Sequence, residues 1–193
     1  MDLPLFPLNT VLFPGSRLEL RLFEPRYLDM VRDCMRADRG FGVCMIVEGR
    51  EAGKPAVPAL VGTEARIVDF CTLPDGLLGI TVRGGQRFRI DSTRTSAAGL
   101  VHGDIVALAD DPRLPIPPEY ALLVTILQRL ADNEDTELAQ AEKSCFDDAG
   151  WVSYRLADRI PVTIAERQQL LQIDDPLERL EQLALWLPRF QKD

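Results

Sequence analysis

The stretch Leu3–Tyr27, LPLFPLNTVLFPGSRLELRLFEPRY, constrains what this 193-residue chain can fold into more than any other part of it. Prolines punctuate three apolar segments, and a Phe-Glu-Pro-Arg-Tyr box closes the stretch. Within it Arg17–Leu22 alternates, with Leu18, Leu20 and Leu22 on one side and Arg17, Glu19 and Arg21 on the other. That period of two predicts a half-buried strand. Pro25 suits the first turn of a helix, where its missing N–H costs little. The stretch is thus expected to be short strands feeding a helix. Glu24 and Arg26 flank Pro25 and are expected to form an ion pair or cap that fixes the strand-to-helix turn before Tyr27.

Residues 1–111 read as β-rich. Further runs at Phe41–Val47, Leu60–Phe70, Leu77–Val82, Gln86–Ile90 and Gly103–Ala109 are bounded by Gly, Pro or Asp, which supply turn geometry. Pro74-Asp75-Gly76 marks a turn, and Leu73, Leu77 and Leu78 crowd apolar groups around it. A contiguous exposed patch there would mark an interaction site, so these three are the candidate polypeptide contacts. Many short strands at close spacing predict a barrel or sandwich rather than a parallel sheet. One helix interrupts them. Tyr27, Met30, Val31, Cys34 and Met35 recur on one face, and Gly40 is expected to end it.

Asp110–Pro118 holds four prolines in nine residues, a stiff stretch that is expected to separate residues 1–111 from a helical part, 112–193. Tyr120, Leu123, Ile126, Leu127 and Leu130 mark a first helix there, and a shorter one is expected after Asn133. A third is expected over Asp148–Arg159, with Trp151, Tyr154 and Leu156 inward. Thr163–Glu166 and Asp175–Glu178 have capping-box spacing, and Leu177, Leu180, Leu183, Ala184 and Leu187 form the last apolar stripe. Helices this short must pack together, which predicts a small bundle.

The formal charge of −8 is uneven, −2 over residues 1–111 and −6 over 112–193. An acidic second half repels phosphate backbones, so nucleic acid is not an expected partner. No apolar run approaches the roughly 18–20 residues of a membrane span, and Met1-Asp2-Leu3 lacks the positive start of a secretory signal. A cytoplasmic location is expected. Cys34, Cys44, Cys71 and Cys145 form no CxxC pair, and His102 is the one histidine, so neither metal nor cofactor is expected. Cys34 and Cys44 read as buried thiols suited to a reducing compartment.

No constellation of catalytic residues emerges. His102 has no serine nucleophile signalled near it and reads as an exposed loop residue. A Ser–Lys dyad has Lys54, Lys143 and Lys192 to draw on, and Lys143 merely adjoins Ser144. Asp110-Asp111, Asp147-Asp148 and Asp174-Asp175 stand at expected helix starts or in the linker, where capping accounts for them. Arg66, Arg83, Arg87, Arg89 and Arg94 form the one basic cluster, expected as a solvated sheet face paired with Glu64, Asp69 and Asp91. Base stacking on that face would need interleaved aromatics, which it lacks.

An ordered series of motifs now stands out: the opening box, Phe41-Gly42-Val43, Val61-Gly62-Thr63, Leu73–Gly76, Gly85–Ile90, Ser153–Ala157, Gln169–Leu171 and Pro176–Leu180. The series resembles the amino-terminal, substrate-binding domain family of Lon-type ATP-dependent proteases. The resemblance implies an α+β fold: a twisted β pseudobarrel of the PUA-like type with one helix, followed by an α-helical bundle. It implies a non-catalytic polypeptide-recognition module linked to protein quality control, with polypeptide segments or an ATPase or protease as partners. Binding is expected in an apolar groove between the two parts or by strand addition to an open sheet edge. The GxxxxGK[ST] loop and the Ser–Lys protease segment are missing, so a stand-alone module is expected. An RNA-binding PUA-like protein and a hydrolase with an unrecognised site stay open as alternatives.

Overall fold

The computed structural model describes residues 1–132 and 136–190. The chain divides into two compact units, Met1–Asp110 and Asp111–Asp193. The first unit contains β1 (Asp2–Leu8), β2 (Arg17–Leu22), α1 (Pro25–Arg36), β3 (Phe41–Glu48), β4 (Val57–Pro58), β5 (Val61–Thr72), β6 (Leu78–Thr95) and β7 (Val101–Ala107). Neighbours run β1-β7-β6-β5-β3, and a parallel β1–β3 pairing brings the ring back to its start. Closure removes the edges that a twisted sheet would otherwise expose. β1 pairs with β7 through Asp2–Leu5 and with β3 through Leu5–Leu8, so Pro4 and Pro7 each need satisfy one neighbour only.

β1 is buried on both faces. Leu3 and Leu5 pack with Phe88, Ile90, Val101 and Ile105. Phe6 and Leu8 pack instead with Leu20, Leu22 and the apolar face of α1, namely Tyr27, Met30, Val31 and Cys34. Met35, expected on that face, is 53% exposed. Nor does Gly40 end the helix. Asp38 does so in the left-handed region (φ 48°) while the Arg39 N–H returns to the Cys34 carbonyl at 3.1 Å. Gly40 serves close packing, because a Cβ there would lie 2.6 Å from the Ala65 carbonyl oxygen.

The two strands expected at Leu77–Val82 and Gln86–Ile90 are one, the 18-residue β6. Gly84-Gly85 reads as a turn but is a crossing point. Gly15 N–H donates to the Gly84 carbonyl at 2.8 Å, and Gly84 N–H donates to the Ser16 carbonyl at 2.9 Å. A Cβ on Gly84 would sit 2.2 Å from the Phe13 carbonyl oxygen, which is why glycine stands there. The β3–β5 pairing ends at Ala65, while β5 and β6 continue together to their hairpin as an arm. β2 pairs with this arm along Leu78–Arg83 and, among the described residues, with no other strand.

The second unit holds α2 (Ala121–Asp132), α3 (Thr136–Ala139), α4 (Ala149–Arg159), α5 (Ile164–Gln172) and α6 (Pro176–Trp186). Asn133, from which the short helix was expected to follow, lies outside the described residues. The start signals work locally. Thr163 and Glu166 form a complete capping box, and the Asp175 carboxylate accepts the Leu177 N–H at 2.8 Å. The proline-rich stretch is tied down: the Leu114 carbonyl accepts the Ala149 N–H at 2.9 Å, and Pro115 bridges Asp148.

Arg179 occupies the middle of this unit with none of its surface exposed. Its guanidinium bonds both Asp111 carboxylate oxygens at 2.7 and 3.3 Å, donates to Ser153 Oγ at 3.0 Å, and lies 3.7 Å from the Tyr154 ring centre. It also donates to the Leu170 and Ile173 carbonyls, at 3.2 and 2.7 Å, and so holds the end of α5. Asp111 therefore departs from the capping role expected of the aspartate pairs. Asp148 and Asp175 keep that role.

Candidate functional site

A hollow of about 300 Å³ opens beside β2, and all its lining residues belong to the first unit. Phe6, Leu8, Leu18, Leu20, Phe23 and Tyr27 give it apolar walls, with Glu19, Glu24 and Glu51 among them. Four consecutive β2 residues, Leu18 to Arg21, line it, and β6 contributes none. The hollow therefore runs along the strand edge that β6 leaves unpaired. Phe23, just past β2, is 55% exposed. An apolar hollow beside free backbone donors and acceptors is the arrangement by which an extended peptide adds to a sheet.

The opening box builds the rear of this hollow. Phe6 and Tyr27 stack with ring centres 3.9 Å apart. Pro25 sets the first turn of α1, and Glu24 precedes it in extended conformation without capping the helix. The Glu24 carboxylate turns to Arg26 at 2.9 Å, and both side chains are largely buried. The Arg26 guanidinium also donates to the Gly99 carbonyl at 3.0 Å and the Glu51 carbonyl at 3.5 Å, and lies 4.7 Å from the Tyr27 ring centre. One buried cation thus gathers the helix start and two loops. The Tyr27 phenol is pushed up from its ordinary range by burial first and by Glu24 and Glu51 after it, with Arg26 opposing.

Leu73, Leu77 and Leu78 stand half-buried at the tip of the arm and none of them lines the hollow. Leu78 lies opposite Leu22 and packs on the core, while Leu73 lies close to Gly79. Asp75 in the same turn pairs with Arg21 of β2.

The basic cluster divides. Arg66 pairs with Glu64 at 3.4 Å, Arg89 with Asp91 at 3.3 Å and Arg94 with Asp2 at 2.7 Å. Arg87 is not on a solvated face: it is 4% exposed. A register shift near Thr63–Ala65, which face Arg87 and Gly84, breaks the alternation and buries Arg87 next to buried Phe88. His102 is likewise no loop residue. It lies within β7, with Nδ1 3.5 Å from an Asp2 carboxylate oxygen. Lys54 is exposed in a loop, Lys192 lies outside the described residues, and Ser144 Oγ donates to Glu142 at 3.3 Å. Cys34 and Cys44 are buried, and burial pushes both thiols up, away from the reactive thiolate. Among the described residues no group of His, Cys, Asp or Glu is arranged to hold a metal ion, and no helix is long and apolar enough to cross a membrane.

The family model of the ATP-dependent protease La (LON) substrate-binding domain matches residues 2–189. The chain belongs to this family. A Lon N-terminal domain protein from Xanthomonas campestris is 44% identical, with a TM-score of 0.82 over 96% of this chain and 98% of that one. The N-terminal domain of a Mycobacterium avium complex Lon protease, 18% identical at a TM-score of 0.70, shares the fold. The Lon protease of Cytophaga hutchinsonii is 27% identical over 96% of this chain but only 23% of its own length. This chain thus spans about a quarter of that relative. As a Lon substrate-binding domain it has the family architecture, a twisted β pseudobarrel followed by a helical region, and it is a substrate-recognition module. Within that module, sequence reasoning missed Phe23, Leu8 and Glu51 as neighbours in one hollow. Phe23 did leave a trace, since Leu22-Phe23 breaks the strict alternation of β2.

Proposed function

We propose that the first unit captures extended, apolar stretches of unfolded polypeptide in the hollow beside β2, without breaking or making bonds in them. The carrying observation is the juxtaposition of an unpaired strand edge with an apolar hollow fronted by exposed Phe23. Main-chain pairing along the edge gives tolerance of sequence, and the hollow gives preference for bulky side chains. Membership of the Lon substrate-binding family supports polypeptide as the ligand, and supports delivery of the captured segment to an ATP-dependent protease. The ion pairing of Arg66, Arg89 and Arg94 favours this reading over nucleic acid. The four free cysteines suit a reducing, cytoplasmic setting.

Phe23→Asp tests the proposal, because the side chain is exposed enough to change without unfolding the unit. In anisotropy titrations with labelled apolar peptides the variant is expected to bind at least about tenfold more weakly, the scale of losing one buried aromatic anchor, at an unchanged melting temperature. Equal binding by wild type and variant would remove the hollow from the mechanism.

A further inference from the structure

Resting on the polypeptide-binding reading, we propose that the hollow is charge-selective. It prefers a segment that places a lysine or arginine between two apolar residues, with the basic side chain opposite Glu19.

The alternation of β2 sets the pattern. Leu18 and Leu20 face the core cluster, and Glu19 and Arg21 lie on the opposite face. A strand added along the free edge continues both faces, so its residues opposite Leu18 and Leu20 are apolar and the residue between them meets Glu19. The charges lining the hollow are not balanced for a neutral occupant. Arg21 is already held by Asp75, and Glu24 by Arg26. Glu51 accepts the Asn9 N–H at 2.6 Å and has no ion-pair partner among the described residues. Glu19 is exposed and has no ion-pair partner among the described residues. Two uncompensated carboxylates thus front an apolar hollow at an open strand edge. An acidic side chain in the incoming strand meets like charge there, and a basic one completes a cross-strand pair.

The test uses the full chain and two labelled ten-residue peptides of alternating leucine and serine, identical except for a central serine replaced by lysine or by glutamate. The lysine peptide is expected to bind roughly fivefold more tightly, the size of one cross-strand ion pair gained and one like-charge contact avoided. The advantage is expected to shrink as salt is raised. Glu19→Lys, an exposed change expected to leave the melting temperature unmoved, should reverse the preference. A lysine preference that survives Glu19→Lys assigns the effect to the overall charge of −8 and overturns the inference. Equal, Phe23-dependent binding of both peptides overturns it while leaving polypeptide capture intact. Failure of both peptides to bind removes the capture reading and this one together.

Discussion

Arg179 brings a full charge into the helical unit and satisfies it with the Asp111 carboxylate, the Ser153 hydroxyl, two carbonyls and the Tyr154 ring. Removing one member of a buried pair leaves the other desolvated, which costs about 3–5 kcal/mol. Arg179→Met is expected to lower stability by that amount in urea titrations, and Asp111→Leu in the same background to restore most of it. Glu166 is a different kind of residue, only partly buried yet strongly perturbed. The Arg189 guanidinium, with help from Thr163, holds its carboxyl at about 2, below the ordinary 4.5. A depressed carboxylate contributes stability above its unfolded value, and that contribution is lost as pH falls through the folded one. Acid titration should therefore show a loss between about pH 4.5 and 2 that Glu166→Gln abolishes. Neither residue's partner was legible. Glu166 was read as a cap from its spacing to Thr163, but Arg189 and Asp111 come from distant parts of the chain, and no local period reports such pairings.

At the scale of elements, β6 carries the sharpest expectation. Gly84→Ala would drive a Cβ into the Phe13 carbonyl. The obstacle is backbone, which cannot swing aside, so a cost of about 1–3 kcal/mol is expected. Faster amide exchange near Gly84 would localise it. Elements with a clean period were readable: β2 by its alternating leucines, α1 by its spaced apolar face, α5 by its capping box. The continuity of β6 was not, because glycine at a crossing and glycine in a turn look the same in one dimension. Arg87 was misplaced for a related reason, since a register shift is set by the partner strand. The hollow was invisible for a third: an unpaired edge is a property of what fails to lie beside β2.

For the whole molecule, both tryptophans, Trp151 and Trp186, lie in the second unit. Their fluorescence reports on that unit directly. If the two units fold separately, as we expect, Gly84→Ala leaves the tryptophan-detected transition in place while destabilising the β unit, and Arg179→Met moves it. A common shift in both variants would show a single cooperative body. The unbroken course of β6 has a mechanical corollary. β2 is fastened to it through six residue pairs, Arg17–Leu22 against Leu78–Arg83, and the same backbone runs on into the closed ring. Rungs in an antiparallel ladder lie across the strand direction. Traction along a chain seated on β2 therefore strains all the rungs together in shear, whereas a pull across the strands at one end would peel them one by one. On the proposed capture reading, β2 is thus anchored along its whole length against a pull on a bound segment.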